Sequence, residues 1–273
     1  MKHCYARSIS YAACLCAALA LAAFSCNPAA KENPIVLENR KPGDTDWRLT
    51  RVRADTCRIR VTDSWTEEGL CRAKEIEAYV SHTSLAAGDT LRVFVSTGPA
   101  ATFTAEIFRM GYYGGTGARK MASLGPFAGI TQPTPPDGDK NLRECQWQKS
   151  FDLPIPGDWL SGVYLGKLTS QEGGWQSYLV FIVKDDRKAD FLFQCADFTW
   201  QAYNRWPAWR SLYDWKADWG YTPWFTDAGP EISFDRPYSF YMNHLPAMLM
   251  PEINGSGEFL LWEFPLAYWM EQQ

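Results

Sequence analysis

The stretch Leu91-Arg92-Val93-Phe94-Val95 places every second side chain on one face of an extended chain, and Leu91, Val93 and Val95 make that face apolar. A little further along, Thr102-Phe103-Thr104-Ala105-Glu106-Ile107 repeats the alternation. A period of two is typical of a β-strand with one buried face. Both stretches are therefore predicted to be strands that pack on a common core.

Other short apolar segments, separated by turn signals, lie on both sides of this pair. The predicted strands are residues 76–80, 90–96, 103–110, 162–168 and 177–183. Several short strands in succession predict a β-sandwich, which we assign to residues 73–185. The glycine-rich residues 111–117 match neither a dinucleotide fingerprint nor a P-loop, so they are predicted to be a turn between strands.

Composition excludes several classes of protein. A chain of 273 residues with 46% hydrophobic and 15% aromatic residues can bury a sizeable core and is not intrinsically disordered. The net charge is −4 and no basic run interleaves with aromatic residues, so nucleic acid is excluded as a partner. With only three His residues, the chain cannot build a His-rich metal site.

The N-terminus has the pattern of an export signal. Lys2 and Arg7 precede an uncharged stretch, residues 9–24, that is shorter than the roughly 18 residues needed to span a bilayer. Residues 1–25 are therefore predicted to be a signal peptide rather than a transmembrane helix. The sequence before Cys26 resembles a lipobox, which predicts a periplasmic or cell-envelope lipoprotein held on the membrane through lipidated Cys26. Ordinary cleavage at the same bond is the alternative.

Residues 26–72 are predicted to be a tether and lead-in to the sandwich. Residues 27–46 are rich in Pro, Asn and charge and show no apolar periodicity, so they are expected to be mobile. Cys57 and Cys71 are close enough in sequence to close a disulfide loop in an oxidising compartment, and two free thiols are the alternative.

The pattern changes after residue 185. Residues 191–193, Phe-Leu-Phe, are predicted to be a buried strand that leads into a polar, aromatic-rich loop, as at the ligand sites of open α/β sheets. Residues 258–273 are predicted to be a helix whose apolar face is interrupted at Pro265. One strand and one helix cannot complete a parallel sheet, so residues 186–273 are expected to be the start of an α/β domain.

Several segments, in order and in approximate spacing, resemble the large (β) subunit of N,N-dimethylformamidase and its relatives. The longest are Ile107-Phe108-Arg109-Met110-Gly111-Tyr112-Tyr113-Gly114-Gly115, Thr199-Trp200-Gln201-Ala202-Tyr203-Asn204 and Ser233-Phe234-Asp235-Arg236-Pro237-Tyr238. Shorter matches are at residues 76–84, 155–159, 161–164, 173–178 and 263–266. The resemblance covers nearly all of the chain from residue 75 onward.

The resemblance implies a β-rich module followed by an α/β domain similar to the class I glutamine-amidotransferase fold. It also implies an iron ion, held by tyrosinate and carboxylate oxygens, that hydrolyses a small amide. Tyr203 matches one iron tyrosine and Tyr238 is the candidate for a second, each with a structural aromatic residue as the alternative. Trp200, Asn204 and Arg236 are predicted to line the substrate pocket.

The family's carboxylate belongs to a His-x-Glu-Tyr segment, which is expected beyond residue 273. This chain alone is therefore expected to be an inactive, C-terminally truncated member. A small amide or another small molecule is the expected ligand, and a homo-oligomer is a further expectation.

Two other hypotheses come from the residues themselves. One is a surface-tethered β-sandwich without catalysis, which binds a carbohydrate or a protein partner through a platform of Trp residues. The candidate rings are Trp200, Trp206, Trp209, Trp215, Trp219 and Trp224. The other hypothesis is a degenerate gene product with no stable second domain. Cys195 lacks a nucleophile elbow and a recognisable His partner, so it is predicted to be a core or loop thiol.

Overall fold

The structure is a computed structural model that describes residues 32–52, 72–207, 211–212, 214–217, 220–223, 231–238 and 251–273. It is mostly β-strand, with a few short helices. The strands are β1 (Glu77–Val80), β2 (Ser84–Ala86), β3 (Thr90–Ser96), β4 (Thr102–Met110), β5 (Ala118–Ala128), β6 (Phe151–Pro154), β7 (Gly162–Ser170), β8 (Gln176–Lys184), β9 (Asp214–Ala217) and β10 (Gly220–Pro223). The helices are α1 (Pro34–Asn39), α2 (Asp197–Tyr203) and α3 (Phe264–Gln272), and a π-helical turn, Phe259–Glu263, leads into α3.

Eight strands form two sheets that pack face to face. One sheet has the order β1-β3-β6 and the other β2-β8-β7-β4-β5. All pairs are antiparallel except β2 with β8. Leu91, Val93 and Val95 are fully buried between the sheets, against Phe103 and Ile107 of the opposite sheet. The alternation in the sequence therefore correctly predicted both strands and the core between them.

The five strands predicted within residues 73–185 are confirmed, and three other strands of the two packed sheets were missed. β2 and β6 have three and four residues, too short for a periodic signal. β5 is long but contains Gly125 and Pro126 and lies at a sheet edge, where few of its side chains are buried. The glycine-rich residues 111–117 form the predicted turn, which connects β4 to β5.

The five-stranded sheet is also covered on its second face. Phe108 and Met110 of β4, Leu165 of β7 and Val180 of β8 are buried there, because other parts of the chain pack over them. We call this covering the outer layer. It contains residues 47–52, Cys195, α2, the π-helical turn and α3, and its buried members are Trp47, Leu49, Cys195, Trp200 and Phe259. A sheet that is buried on both faces explains the near-continuous apolar sequences of β7 and β8.

Residues 32–46 belong to the stretch that is expected to be mobile, but in the structure they contact the sandwich. Asn33 caps the start of α1 by accepting a hydrogen bond from the backbone N–H of Ile35 (3.0 Å), and Pro34 occupies the first turn. Glu38 and Trp47 are buried. Polar composition misled the prediction because α1 is held by charged contacts rather than by an apolar stripe. Cys26, Cys57 and Cys71 lie outside the described residues.

The predicted strand at residues 191–193 is also wrong. Residues 185–196 contain no strand, and Phe191 and Leu192 are strongly exposed. Charged residues precede this apolar run, and it pairs with none of the strands in the described ranges. Beyond it, the described strands are β9 and β10, which form an antiparallel hairpin. The predicted C-terminal helix is confirmed, and Pro265 lies in the first turn of α3, where proline is tolerated.

A buried charge network holds both ends of the described chain on the sandwich. The guanidinium of Arg109, fully buried on β4, donates from Nη1 and Nη2 to the two carboxylate oxygens of Glu271, at 2.8 Å each. Nη1 also donates to the Tyr113 hydroxyl (3.0 Å) and Nη2 to the Ser161 carbonyl (2.8 Å). Burial alone would lower the pKa of Arg109, but Glu271 outweighs it and the pKa lies above its ordinary value.

The N-terminal segment joins the same network. Asn39 Nδ2 donates to Glu271 Oε2 (2.8 Å), and the Tyr113 hydroxyl donates to Glu38 Oε1 (3.1 Å). A Cβ at Gly111 would lie 2.3 Å from Glu271 Oε2, so a larger residue there would displace this carboxylate from the network. The helices α1 and α3 therefore both pack against the segment Arg109-Met110-Gly111-Tyr112-Tyr113.

Within the described ranges, none of the helices is both long enough and apolar enough to cross a membrane.

Candidate functional site

The two segments that suggested a site, residues 199–204 and 233–238, are held together in the structure by buried hydrogen bonds. Gln201 on α2 is the centre, and its Oε1 accepts from Asn204 Nδ2 (3.0 Å) and from Arg236 Nε (3.1 Å). Arg236 also donates to the backbone carbonyls of Gln201 and Trp206, both at 3.0 Å. Gln201, Asn204 and Arg236 are almost fully buried.

Arg236 brings a fixed positive charge to this region. Burial lowers its pKa to about 10, which leaves the guanidinium protonated at neutral pH. Asn204 Nδ2 also donates to the Pro237 carbonyl (2.9 Å), so it joins α2 directly to the segment that carries Arg236. These contacts fix the two segments relative to each other.

The same region is joined to the three-stranded sheet through Trp206. Its Nε1 donates to Glu77 Oε2 on β1 (2.9 Å), and the Arg72 guanidinium lies over its ring (5.3 Å). Arg72 Nε donates to the other carboxylate oxygen of Glu77 (2.6 Å). Burial raises the pKa of Glu77 although Arg72 acts in the opposite direction. The region around Gln201 is therefore attached to the sandwich through a buried ion pair.

The two predicted metal tyrosines have different environments. Tyr203 is the last residue of α2 and is half-buried. The Tyr238 hydroxyl is buried and makes no hydrogen bond of good geometry within the described part of the chain. Burial and the charge of Asp197 raise its pKa, while Arg236 and the side chain of Gln201 act to lower it. The Trp200 ring packs edge-on against Tyr238, with centroids 6.2 Å apart. Tyr238 packs against the same cluster as Trp200 of α2 and Phe259 of the π-helical turn.

Of the residues predicted to line a pocket, Trp200, Asn204 and Arg236 all take part in this region. Trp200 is buried, and its Nε1 donates to Glu263 Oε1 (2.9 Å). The side-chain groups of Asn204 and Arg236 make the internal hydrogen bonds described above. Their role towards a substrate stays a prediction. The Trp platform is wrong for Trp200 and Trp206, because both rings are buried. Trp209, Trp219 and Trp224 lie outside the described residues.

Sequence reasoning missed two carboxylates, Glu258 and Glu263. They are five residues apart, a spacing that an α-helix does not place on one face, but the π-helical turn between them closes with i to i+5 hydrogen bonding. Glu263 Oε1 accepts from the backbone N–H of Ala196 (3.0 Å) as well as from Trp200. Glu263 Oε2 and Glu258 Oε1 are buried without a hydrogen-bond partner in the described residues. No feature of the sequence predicts the π-helical turn.

Glu258 is only 4% exposed, and burial, aided by the charge of Glu263, raises its pKa to about 7. Its ordinary value is 4.5. The folded state therefore holds this proton more tightly than the unfolded state between these two values. Stability should be greatest below about pH 4.5, as far as this group is concerned, and should fall as the pH rises to about 7.

We expect Glu258→Gln to abolish this loss of stability with rising pH. The variant, whose side chain stays neutral, should be more stable than the parent by roughly 3 kcal/mol at pH 8 and nearly equal to it near pH 5. Urea unfolding at the two pH values measures the difference. Glu172→Gln, at an exposed carboxylate in the turn between β7 and β8, is the matched control and should leave the profile unchanged. If the stability of Glu258→Gln and that of the parent changed with pH in the same way, the raised pKa assigned to Glu258 would be contradicted.

The two described cysteines, Cys145 and Cys195, are free and buried. Burial raises the pKa of both thiols, and neither is activated as a nucleophile by its surroundings. Cys195 is thus a core thiol, as predicted. Among the described residues, no group of three or more His, Cys, Asp or Glu side chains is arranged to hold a metal ion.

The structure defines the class of protein as a β-sandwich that carries a buried polar region on its second face. This region is made from residues 199–204 and 233–238. Comparison with known families gives the particular group. Residues 104–273 match the family described as "N,N-dimethylformamidase beta subunit-like, C-terminal". The match covers more than half of the chain, and the chain therefore belongs to this family. The resemblance predicted from the sequence is confirmed.

Other comparisons add little. No curated protein matches the chain. Among solved structures, the sporulation control protein Spo0M from Bacillus subtilis aligns over 42% of this chain and 49% of its own, with 11% identity and a TM-score of 0.24. The chain thus spans about half the length of that structure, and a TM-score this low supports no inference.

Proposed function

We propose that this protein is an exported hydrolase of the C–N bond of small amides, which depends on iron and is anchored to the cell envelope through Cys26. Membership of the dimethylformamidase family supports the reaction class. The observation that carries the metal proposal is the Tyr238 hydroxyl, a buried oxygen without a partner among the described residues. Under the same proposal, residues 186–273 contribute to an α/β domain of the class I glutamine-amidotransferase type.

The donor chemistry of this region fits a ferric ion. Phenolate oxygens are hard ligands that ferric iron favours, and Tyr203 and Tyr238 would hold it. When bound, the ion supplies a Lewis acid that lowers the pKa of water and polarises an amide carbonyl.

The residues around the tyrosines have supporting roles. Tyr238 must lose its hydroxyl proton to bind, and burial opposes this loss by raising its pKa. The buried charge of Arg236 favours the phenolate form and offsets part of that cost. Asn204 and Gln201 hold Arg236 in place. The Trp200 ring packs beside the phenol and keeps water from one side of it.

Iron binding by the purified chain tests the proposal. Protein loaded with ferric iron should show the visible absorption of a phenolate-to-iron transition and bind the metal in metal analysis. Tyr238→Phe and Tyr203→Phe should each weaken iron binding by at least about 100-fold, because each removes one anionic ligand. Tyr112→Phe, at a ring that contacts Tyr268, is the matched control.

Formate release from N,N-dimethylformamide tests the activity separately, in an iron-loaded protein that joins this chain to the His-x-Glu-Tyr segment of the family. Undiminished iron binding by the double variant Tyr203→Phe and Tyr238→Phe would refute the assigned metal ligands.

A further inference from the structure

The loop between β5 and β6, residues 129–150, contacts both segments of the buried polar region. We call it the β5–β6 loop. Its Trp147 ring packs edge-on against Trp206, which follows α2, with centroids 6.0 Å apart. Trp147 Nε1 donates to the Pro133 carbonyl of the same loop (2.8 Å), and the Tyr79 ring of β1 lies 5.4 Å away, centroid to centroid. The later part of the loop is therefore fixed between β1 and the residues that follow α2.

The β5–β6 loop also pairs with the backbone that leads to Arg236. Arg143 and Ile232 form a parallel β-bridge. Two residues further along the loop, the N–H of Cys145 donates to the carbonyl of Asp235 (2.7 Å). This bond ends on the residue directly before Arg236, so the sandwich holds the backbone next to the buried guanidinium.

Ser233 adds a side-chain contact at the same place. Its hydroxyl donates to Glu144 Oε1 (2.9 Å) and accepts from the N–H of Asp235 (3.0 Å). Because Cys145 directly follows Glu144 and holds the Asp235 carbonyl, these three hydrogen bonds form a closed ring. Ser233 is only 9% exposed, so water does not readily replace its hydroxyl. The ring fixes the backbone of Asp235 at both its N–H and its carbonyl.

We propose that the β5–β6 loop is a positioning element of the candidate site, in which Ser233 and Glu144 fix the backbone that carries Arg236 and Tyr238. Tyr238 lies three residues beyond Asp235, so its hydroxyl follows any movement of that backbone. Ligand atoms must be held within roughly 0.5 Å of their working geometry, which requires supporting hydrogen bonds of this kind. Neither positioning residue is assigned a contact with metal or substrate. The consequence for iron rests on the proposed function.

Hydrogen exchange of the metal-free chain, followed by mass spectrometry, tests the ring directly. Ser233→Ala removes the acceptor of a backbone N–H, and we expect the amides of residues 233–236 to exchange at least about tenfold faster than in the parent. Glu144→Ala should act in the same direction. Glu144→Gln keeps an oxygen that accepts from the Ser233 hydroxyl and should restore the exchange rates of the parent.

Thr97→Val is the matched control for the loss of a hydroxyl. The Thr97 hydroxyl is buried and accepts from the N–H of Ala101 (3.1 Å), but it lies in the turn between β3 and β4. Its removal should leave the exchange of residues 233–236 unchanged. Should Ser233→Ala fail to fold, Glu144→Ala carries the same test, because Glu144 is an exposed residue.

Iron binding by the same variants tests the consequence for the metal. Ser233→Ala should bind ferric iron at least about tenfold more weakly than the parent, and its phenolate-to-iron absorption should have a shifted maximum. Glu144→Gln and Thr97→Val should keep the affinity and the absorption maximum of the parent.

Parent-like exchange in Ser233→Ala, or equal acceleration in Thr97→Val, would overturn the positioning role. Iron bound by Ser233→Ala with the affinity and absorption maximum of the parent would overturn it as well. If Glu144→Gln exchanges as fast as Glu144→Ala, the assigned acceptor role of Glu144 is refuted. A parent that binds no iron would refute the proposed function, whereas faster exchange in Ser233→Ala and parent-like exchange in Glu144→Gln would still support the positioning of Arg236.

Discussion

Replacing Glu271 by Ala is expected to destabilise the protein by about 3 to 5 kcal/mol. The variant leaves the guanidinium of Arg109 fully buried without its carboxylate, and an uncompensated buried charge has a cost of this order. Arg109 cannot release its proton to relieve this cost, because an arginine stays protonated in proteins. Since natural domains are stable by only about 5 to 15 kcal/mol, the loss should be plain in urea unfolding.

Two further variants separate the buried charge from simple loss of contacts. The double variant Arg109→Met and Glu271→Ala removes the orphaned charge, so it should be more stable than Glu271→Ala alone. Lys149→Ala breaks an ion pair with Asp152 in which both side chains are 44% exposed, and it should cost less than about 1 kcal/mol. If Glu271→Ala proves as mild as Lys149→Ala, the charge network does not hold α3 in place.

Gly255→Ala should have a similarly large effect, about 3 to 5 kcal/mol, for a steric reason. Gly255 has φ +83°, and a Cβ there would lie 2.1 Å from the carbonyl oxygen of Tyr178 on β8. The preceding residue, Asn254, accepts a hydrogen bond at its carbonyl from the Tyr178 N–H (2.8 Å) and donates from Nδ2 to Ser177 Oγ (3.0 Å). Relief of the clash would require both bonds to lengthen.

Gly88→Ala is the matched control for the backbone conformation. Gly88 has φ +96°, but a Cβ there would have no atom within 4 Å. Its substitution should therefore cost only the strain of the left-handed region, about 1 kcal/mol. The difference between the two variants in urea unfolding measures the close approach of the loop at residue 255 to β8. Equal losses would mean that this approach is not required.

The parts of the fold that could be predicted are those that obey a local rule. Leu91, Val93 and Val95 alternate with polar or less buried residues because only one face of β3 meets the core. β5 could not be predicted, because few side chains of this edge strand are buried and it therefore does not need an apolar residue at every second position. The strand expected at residues 191–193 failed for the opposite reason. An apolar run indicates burial only when another element covers it, and Phe191 is exposed.

The candidate site, like the fold, could be predicted from the sequence only in part. The segments that contain Trp200, Asn204, Arg236 and Tyr238 do meet, and resemblance to a family was the signal that selected them. Their hydrogen bonds to Gln201 could not be predicted, because they depend on how α2 lies against a segment more than thirty residues away in sequence. Glu258 and Glu263 escaped notice because their proximity depends on a single π-helical turn.

The outer layer bears on the order in which the protein can fold. Asn39 and Glu271, which share a hydrogen bond, are 232 residues apart in sequence. Trp47 and Phe259, which both cover the second face of the five-stranded sheet, are likewise far apart in sequence, so that face stays wet until residue 259 has been synthesised. The nascent polypeptide therefore cannot complete its second core before the π-helical turn and α3 emerge from the ribosome.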